Sequence, residues 1–363
     1  MASGEKLAIS RQPAHPFAPG GQMRSYGLTK ARSMGPVADL VERAGGSLPR
    51  VFSRADLPLR LIEEPNRLIL LKDQLALVEC AAREIGDAAL AARLSTEAGF
   101  SSLGTYGRHV EAMPDLGAAI ACASATIGPL LQSSTQFAFT VSGGEARWSY
   151  GVTDPVEVGR QKNEMLALGY MLDLVRSFAG ETVTPSRIEL TGPPVAAKAT
   201  VESVFRGELA RAERAALVFP AELLEAPNPH GEKARDGLMD AELPDASDLV
   251  ACAEALIGVA LLESRPGIDW LARHLDMSRR SLQRQLATQG TSFGALLDRA
   301  SFARARDLLR LGAGATEVAY ELGYSDPAHF SRAFRRWAGE PPRVWRKGKL
   351  RQPCTKRPSA NLS

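Results

Sequence analysis

Apolar residues change their spacing twice along the chain, and the changes divide it into three stretches. Val37, Leu40 and Val41 open a helical pattern. Residues 68–85 and 87–94 continue it as two helices parted at Gly86, and residues 116–131 form an alanine-rich helix beyond Met113-Pro114-Asp115. The spacing then falls to two. Residues 136–141 and 146–150, joined by Ser142-Gly143-Gly144-Glu145, predict a β-hairpin. Phe137, Phe139 and Val141 share one face of it, as do Ala146, Trp148 and Tyr150. A helix over 158–178 follows, with Met165, Leu168, Leu172 and Val175 on one side. A strand at 187–191, a short helix at 201–205 and a strand at 215–219 complete this part. Few strands, without regular strand–helix alternation, predict an α+β domain rather than a doubly wound sheet. From residue 249 onward the pattern is purely helical, beginning with an apolar helix over 249–262.

Within that all-α remainder one motif is written twice. GIDWLARHLDMSRRSLQRQL and GATEVAYELGYSDPAHFSRAF align Ala272, Leu275, Asp276, Met277 and Ser278 with Ala319, Leu322, Gly323, Tyr324 and Ser325, at a constant offset of 47. The second copy then carries one extra residue, and Leu282, Arg284 and Leu286 match Phe330, Arg332 and Phe334. Each copy predicts a helix-turn-helix: a short helix with a small residue at the crossing, a tight turn, and a second helix started by a capping side chain. Ser278 is the cap of the first copy, and Asp326 with Pro327 behind it is the cap of the second. Leu282 with Leu286, and Phe330 with Phe334, fall four apart and make a buried stripe on each second helix. The outward remainder is cationic: Arg279, Arg280, Gln283 and Arg284 in one, Ser331, Arg332, Arg335 and Arg336 in the other. A helix over 293–311 connects the two units.

The run SRRSLQRQLATQGTSF followed by ATEVAYELGYSDPAHFSRAFRRWAGEPPRVWR resembles the paired helix-turn-helix domain of AraC/XylS-type transcriptional regulators. One departure is visible: Ser301-Phe302 stands where the connecting helix of that family usually carries Arg-Leu. The resemblance implies that Arg280, Gln283 and Arg284 read base edges in the first unit and Ala328, His329 and Arg332 in the second. It implies backbone contacts from Ser278, Arg279, Ser325, Ser331, Arg335, Arg336 and Arg346. Arg pairs bidentately with guanine and Gln with adenine, each worth about 1–3 kcal/mol of discrimination. Trp270, Trp337 and Trp345 are expected in the core or at a seam. The N-terminal half, with its early helices, hairpin, long helix, GPP and a strand ending FPAELLEAPNP, more loosely resembles the effector domain of the ornithine-utilisation-type branch of the same family. That branch differs from the sugar-binding cupin of the namesake. The resemblance implies ligand sensing, dimer formation or both, with no ligand residue carried over.

Charge sharpens this division. Residues 251–363 hold 19 Lys/Arg against 10 Asp/Glu, a net of +9; because the whole chain is +3, residues 1–250 carry −6. A basic module joined to an acidic one fits a polyanion reader attached to a partner that does not bind DNA. The four cysteines are dispersed, without CxxC or His at ligand spacing, so neither a structural zinc site nor a disulfide framework is expected, and no cofactor is called for. No apolar run reaches the length of a membrane span and no secretory signal is present, so no membrane association and a cytoplasmic, nucleoid-associated location are expected. Composition divides the chain into a flexible leader (1–34), an effector-sensing and dimerisation domain (35–230), a linker (231–248), the paired helix-turn-helix domain (249–347) and a basic disordered tail (348–363). The expected partners are promoter DNA, RNA polymerase, a small-molecule effector and a second copy of the chain. Two rivals stand beside this. One is a constitutive DNA binder whose N-terminal half only dimerises. The other is a serine hydrolase, since Gly290-Thr291-Ser292-Phe293-Gly294 fits GxSxG. That elbow needs a strand before its serine, whereas a helix over 278–289 precedes Ser292, which is better read as a helix cap, so no enzyme is expected.

Overall fold

The computed structural model describes residues 26–156, 158–229, 231 and 242–350. Strand β1 (Leu28–Lys30) comes first, then helices α1 (Val37–Arg43) and α2 (Leu48–Arg54), strand β2 (Leu68–Leu70), and helices α3 (Leu71–Ile85), α4 (Leu90–Ala98), α5 (Thr105–Glu111) and α6 (Leu116–Leu130). Two of these depart from the sequence expectation. Residues 26–34 were assigned to a flexible leader, yet Leu28 pairs with Leu70 and Lys30 with Leu68 in an antiparallel ribbon, and Leu28 is fully buried. The apolar run from residue 68 was read as helix throughout, yet its first three residues are the second strand of that ribbon. The rest of the leader lies outside the described residues. Asp115 caps α6 by accepting from Ala118 N at 2.7 Å, and Gly86 closes α3 in a left-handed conformation.

The hairpin forms as patterned, from β3 (Thr135–Ser142) and β4 (Glu145–Val152), with Phe137 opposite Tyr150 and Phe139 opposite Trp148. Gly143 and Gly144 both take positive φ, 60° and 81°, the backbone that a two-residue turn with matching twist demands. After α7 (Arg160–Ala179) come β5 (Arg187–Leu190), α8 (Lys198–Phe205), β6 (Leu209–Arg211) and β7 (Ala215–Pro220). The sheet runs β3-β4-β7-β5-β6, antiparallel except for the β5–β6 pair. Among the described residues it is an open α+β sheet with α7 against it. Met165, Leu168, Leu172 and Val175 of α7 are buried as predicted, and so are Asn163, Glu164, Tyr170 and Arg176. The helix is therefore enclosed by α3 and α4 as well as by the sheet. Glu164 answers for its burial by accepting from Thr191 N at 3.0 Å and Thr191 Oγ1 at 2.6 Å.

The C-terminal part comprises α9 (Leu249–Ala260), α10 (Ile268–His274), α11 (Arg279–Thr288), α12 (Phe293–Arg310), α13 (Ala315–Glu321), α14 (Pro327–Ala338) and α15 (Pro342–Leu350). The last helix extends three residues into the expected tail, and residues 351–363 lie outside the described residues. Much of the expected linker is likewise undescribed, but Leu243 N donates to Pro129 O at 2.7 Å and Ala246 O accepts from Tyr26 N at 2.8 Å, which ties its end to the N-terminal half.

The two halves share a seam. Leu28 and Leu70 belong to the same apolar cluster as Leu249, Cys252 and Leu256 of α9, whereas Ile69 and Leu71 point into the N-terminal core. Among the described residues one carboxylate–imidazole contact, Asp56–His274 at 3.1 Å, and three ion pairs cross the seam: Arg60–Glu321 at 2.5 Å, Lys72–Asp276 at 2.7 Å and Glu64–Arg304 at 2.5 Å. The last is the least exposed, and Glu64 also receives Arg67 at 2.8 Å. Burial works to raise the Glu64 carboxyl, but the Arg67 and Arg304 guanidinium groups outweigh it and hold the pKa below the ordinary range. A depressed carboxyl contributes stability that is complete above its unfolded pKa and disappears as pH falls through the folded value. Glu64→Gln, which strands Arg304 at the seam, should lower the unfolding temperature with helix content preserved by circular dichroism. Acidifying the wild type through the lowered Glu64 pKa should shrink the gap between the two proteins. An unchanged unfolding temperature in Glu64→Gln would remove the pair from any part in docking.

Candidate nucleic-acid interface

Both copies of the doubled motif fold as helix-turn-helix units. In the first, α10 leads, and Ser278 caps α11 by accepting from Ser281 N at 3.2 Å. In the second, α13 leads, and Asp326 caps α14 by accepting from Ala328 N at 2.8 Å, with Pro327 at the first helical position. Ala272 and Ala319 are buried at the crossings, and Leu282, Leu286, Phe330 and Phe334 are completely buried. The turns match in backbone as well. Gly323 has φ +73° and its matched residue Asp276 has φ +52°. A side chain at Gly323 would also press on Arg265, with the added Cβ 3.0 Å from the arginine's own.

With those stripes turned inward, the opposite faces of α11 and α14 look outward. Arg279, Arg280, Gln283 and Arg284 are exposed on α11, as are His329, Arg332, Arg335 and Arg336 on α14. Ala328 and Ser325 are exposed and Ser331 is half-buried. Neither helix carries an Asp or Glu, so each outward face is positive throughout. Several of these groups are already engaged. Arg279 lies 3.5 Å from Asp269 and Arg336 donates to Asp298 at 2.8 Å. His329 sits 3.7 Å from Asp326. Arg346 Nη1 donates to the carbonyls of Gly312 and Ala313, at 3.1 and 3.0 Å, which ties α15 to the loop between α12 and α13. This role for Arg346 is structural and gives no sign in the sequence.

Helix α12 joins the two units, and Ser292 caps it by accepting from Ala295 N at 3.3 Å. Helix α11 precedes Ser292 where a nucleophile elbow requires a strand, so the GxSxG match is a helix boundary. At the family departure, Ser301 is fully buried and faces Arg265 Nη1 at 3.4 Å, while Phe302 meets Phe334 edge-on at 5.5 Å. Arg265 also lies over the Tyr324 ring at 4.8 Å. An arginine from the loop after α9 thus stands beside the position where the connecting helix has none. Trp345 and Trp337 pack around Phe334, and Trp270 lies against His274.

Among the described residues no helix is long and apolar enough to cross a membrane, and no group of three His, Cys, Asp or Glu is placed to hold a metal ion. Residues 45–228 match the family profile described as the arabinose-binding domain of AraC transcription regulator, N-term, and residues 271–348 match a helix-turn-helix domain. The ornithine utilization regulator of Pseudomonas aeruginosa is 26% identical over 322 residues, 85% of this chain and 93% of that protein. An uncharacterized HTH-type transcriptional regulator of Mycobacterium bovis is 48% identical over 73 residues, 20% of this chain and only 21% of its own length. Among solved structures, the transcriptional regulator CdpR of Pseudomonas aeruginosa aligns over 72% of this chain and 87% of its own, at 23% identity and a TM-score of 0.35. With an N-terminal match over half its length and the doubled motif behind it, the chain belongs to the AraC family of transcription regulators.

Proposed function

We propose that the protein is a sequence-specific DNA-binding transcriptional regulator whose N-terminal domain senses a small-molecule effector. The observation that carries this is a pair of capped helices, α11 and α14, each with an acid-free cationic face in solvent, fixed at the two ends of one connecting helix. In such units the second helix enters the major groove. In this reading Arg280, Gln283 and Arg284, with Ala328, His329 and Arg332, read base edges, and Ser278, Arg279, Ser325, Ser331, Arg335 and Arg336 contact the backbone. Arg346 serves the DNA mainly by tying α15 to the loop between α12 and α13. The active form is a homodimer in the cytoplasm, its two copies covering two operator elements and contacting RNA polymerase, and the protein is not an enzyme. A selection of random duplexes on the full-length protein tests this. A recovered motif with two spaced elements supports it, and binding that fades uniformly with salt and selects nothing would sink it.

The seam supplies a route from effector to DNA. Asp56 and Lys72 hold His274 and Asp276 at the end of the leading helix of the first unit, and Arg60 holds Glu321 at the end of the leading helix of the second. Both units are thus gripped by side chains from residues 56–72 of the N-terminal half. Surface pairs of this kind are each worth about 0.2–1 kcal/mol, enough to bias two arrangements of the readers without locking either. An effector acts through the seam only by its different affinity for the two arrangements.

Three outcomes follow for the DNA reading. Arg284→Ala should cost about 1–3 kcal/mol on the selected site and relax base preference there, while leaving random DNA binding nearly unchanged. Arg335→Ala should weaken specific and random duplexes alike and reduce the slope of log affinity against log salt by about one. The double variant Arg60→Ala/Lys72→Ala touches no DNA-facing residue, yet should alter affinity for a two-element operator more than for a single element. Equal effects on both operators would disconnect the seam from reader spacing.

A further inference from the structure

A cavity of about 50 Å³ lies inside the N-terminal domain, between the hairpin, α3, α5 and α7. Its walls are largely apolar, from Phe100, Leu103, Phe137, Leu166 and Met171, and no charged side chain lines it among the described residues. Among its polar lining groups, Gln74, Tyr150 and Tyr170 matter most. Gln74 is 1% exposed; its amide nitrogen reaches Ser33 O at 3.4 Å, but its Oε1 has no hydrogen-bond partner. A buried acceptor left unpaired is a standing cost in a folded domain and marks a place where a donor fits. Across the space, Tyr150 Oη accepts from Gln132 Nε2 and from Asn163 Nδ2, both at 2.8 Å. Those two donors, with Thr135 as a further hydrogen-bond neighbour, hold the phenol in place at the cavity wall. The lining therefore presents Gln74 Oε1 as an unpaired acceptor, with the hydroxyls of Tyr150 and Tyr170 as further polar groups, the latter also lacking a geometric hydrogen-bond partner, in an apolar, uncharged surround.

Resting on the regulator reading above, we infer that this cavity is the effector site and that it takes a small uncharged molecule with an aromatic or aliphatic body and one donor–acceptor group, such as an amide. A carboxylate or an ammonium would enter without a counter-ion, and burying an unpaired charge is prohibitive beside burying a paired amide. Zwitterionic amino acids and organic acids are excluded on that ground. At about 50 Å³ the cavity is far below the roughly 300–1,000 Å³ of occupied ligand sites, so it must enlarge to take such a molecule. Phe137 is the wall that yields. Its ring is half-buried, 5.3 Å from Trp148 and 5.7 Å from Tyr150, and it stands on β3, the edge strand bonded only to β4. A ligand ring replaces the Phe137 ring against Trp148 and Tyr150, and β3 moves outward with the displaced side chain.

Benzamide, benzoate and benzylamine share one ring and differ in charge, which makes them the probes. Benzamide at millimolar concentration should raise the unfolding temperature of the full-length protein in a saturable manner, and benzoate and benzylamine should not. Phe137→Ala should bind benzamide more tightly than the wild type. Ala167→Leu, which fills the cavity from α7, should abolish the benzamide response, and Gln74→Leu, which removes the unpaired acceptor, should weaken it. No benzamide response in the wild type, an equal response to either charged probe, or a response undiminished in both filled and acceptor-less variants would each overturn the assignment. The duplex selection on the same preparation reads the regulator claim separately. Protein that selects a motif but ignores benzamide loses the cavity site and keeps the regulator reading.

Discussion

The alternation of side chains along a three-residue strand decides how this molecule is put together. In β2, Ile69 turns into the N-terminal core, while Leu68 and Leu70 turn the other way, onto the helical domain. Leu28, paired with Leu70 on β1, joins them. Because successive residues of a strand face opposite sides, a ribbon two strands wide gives one face to each domain without any linker between them. The continuity of apolar packing from α7 through β2 to α9 follows from that, and so does the position of α3, which grows directly from β2. The ion pairs then decorate a seam that the ribbon has already fixed.

The acidic and basic halves read differently in this light. The opposite net charges of −6 and +9 mark more than a DNA reader and its partner. Asp56, Glu64 and Glu263 form part of the contact between halves, with Glu263 Oε1 accepting from Leu59 N at 3.0 Å. The cation that the basic half gives to this contact is Arg304 of α12, away from α11 and α14. Among the described residues the seam pairs draw on no cation of α11 or α14.

The doubled motif was legible because it appears twice, so each copy checks the other: caps, crossing alanines and buried stripes all stand where spacing put them. The hairpin was legible from its period and its paired glycines, and α7 from Met165, Leu168, Leu172 and Val175. The ribbon was not. Leu68-Ile69-Leu70 runs into the apolar start of α3, and a strand buried on both faces has no alternation to betray it. Leu28-Thr29-Lys30 lies behind a stretch rich in Gly, Pro and Ser, and its burial comes wholly from distant residues. Helix α15 was hidden by Pro341-Pro342, which reads as a stop although Pro342 begins the helix. The cavity groups were also illegible, because Gln74, Gln132, Tyr150 and Asn163 are scattered over three elements and a loop, and only packing brings them together.

The two turns of the repeat have parted ways in one respect. Gly323 takes its left-handed backbone freely, whereas Asp276 holds the same conformation with a side chain, a strain of about 1–2 kcal/mol that aspartate tolerates better than most. What the first copy gains is a carboxylate at the apex of its turn, where Lys72 grasps it. The repeat is therefore symmetric in fold and unequal in its anchorage: the strained turn carries a tethering charge that the relaxed one lacks.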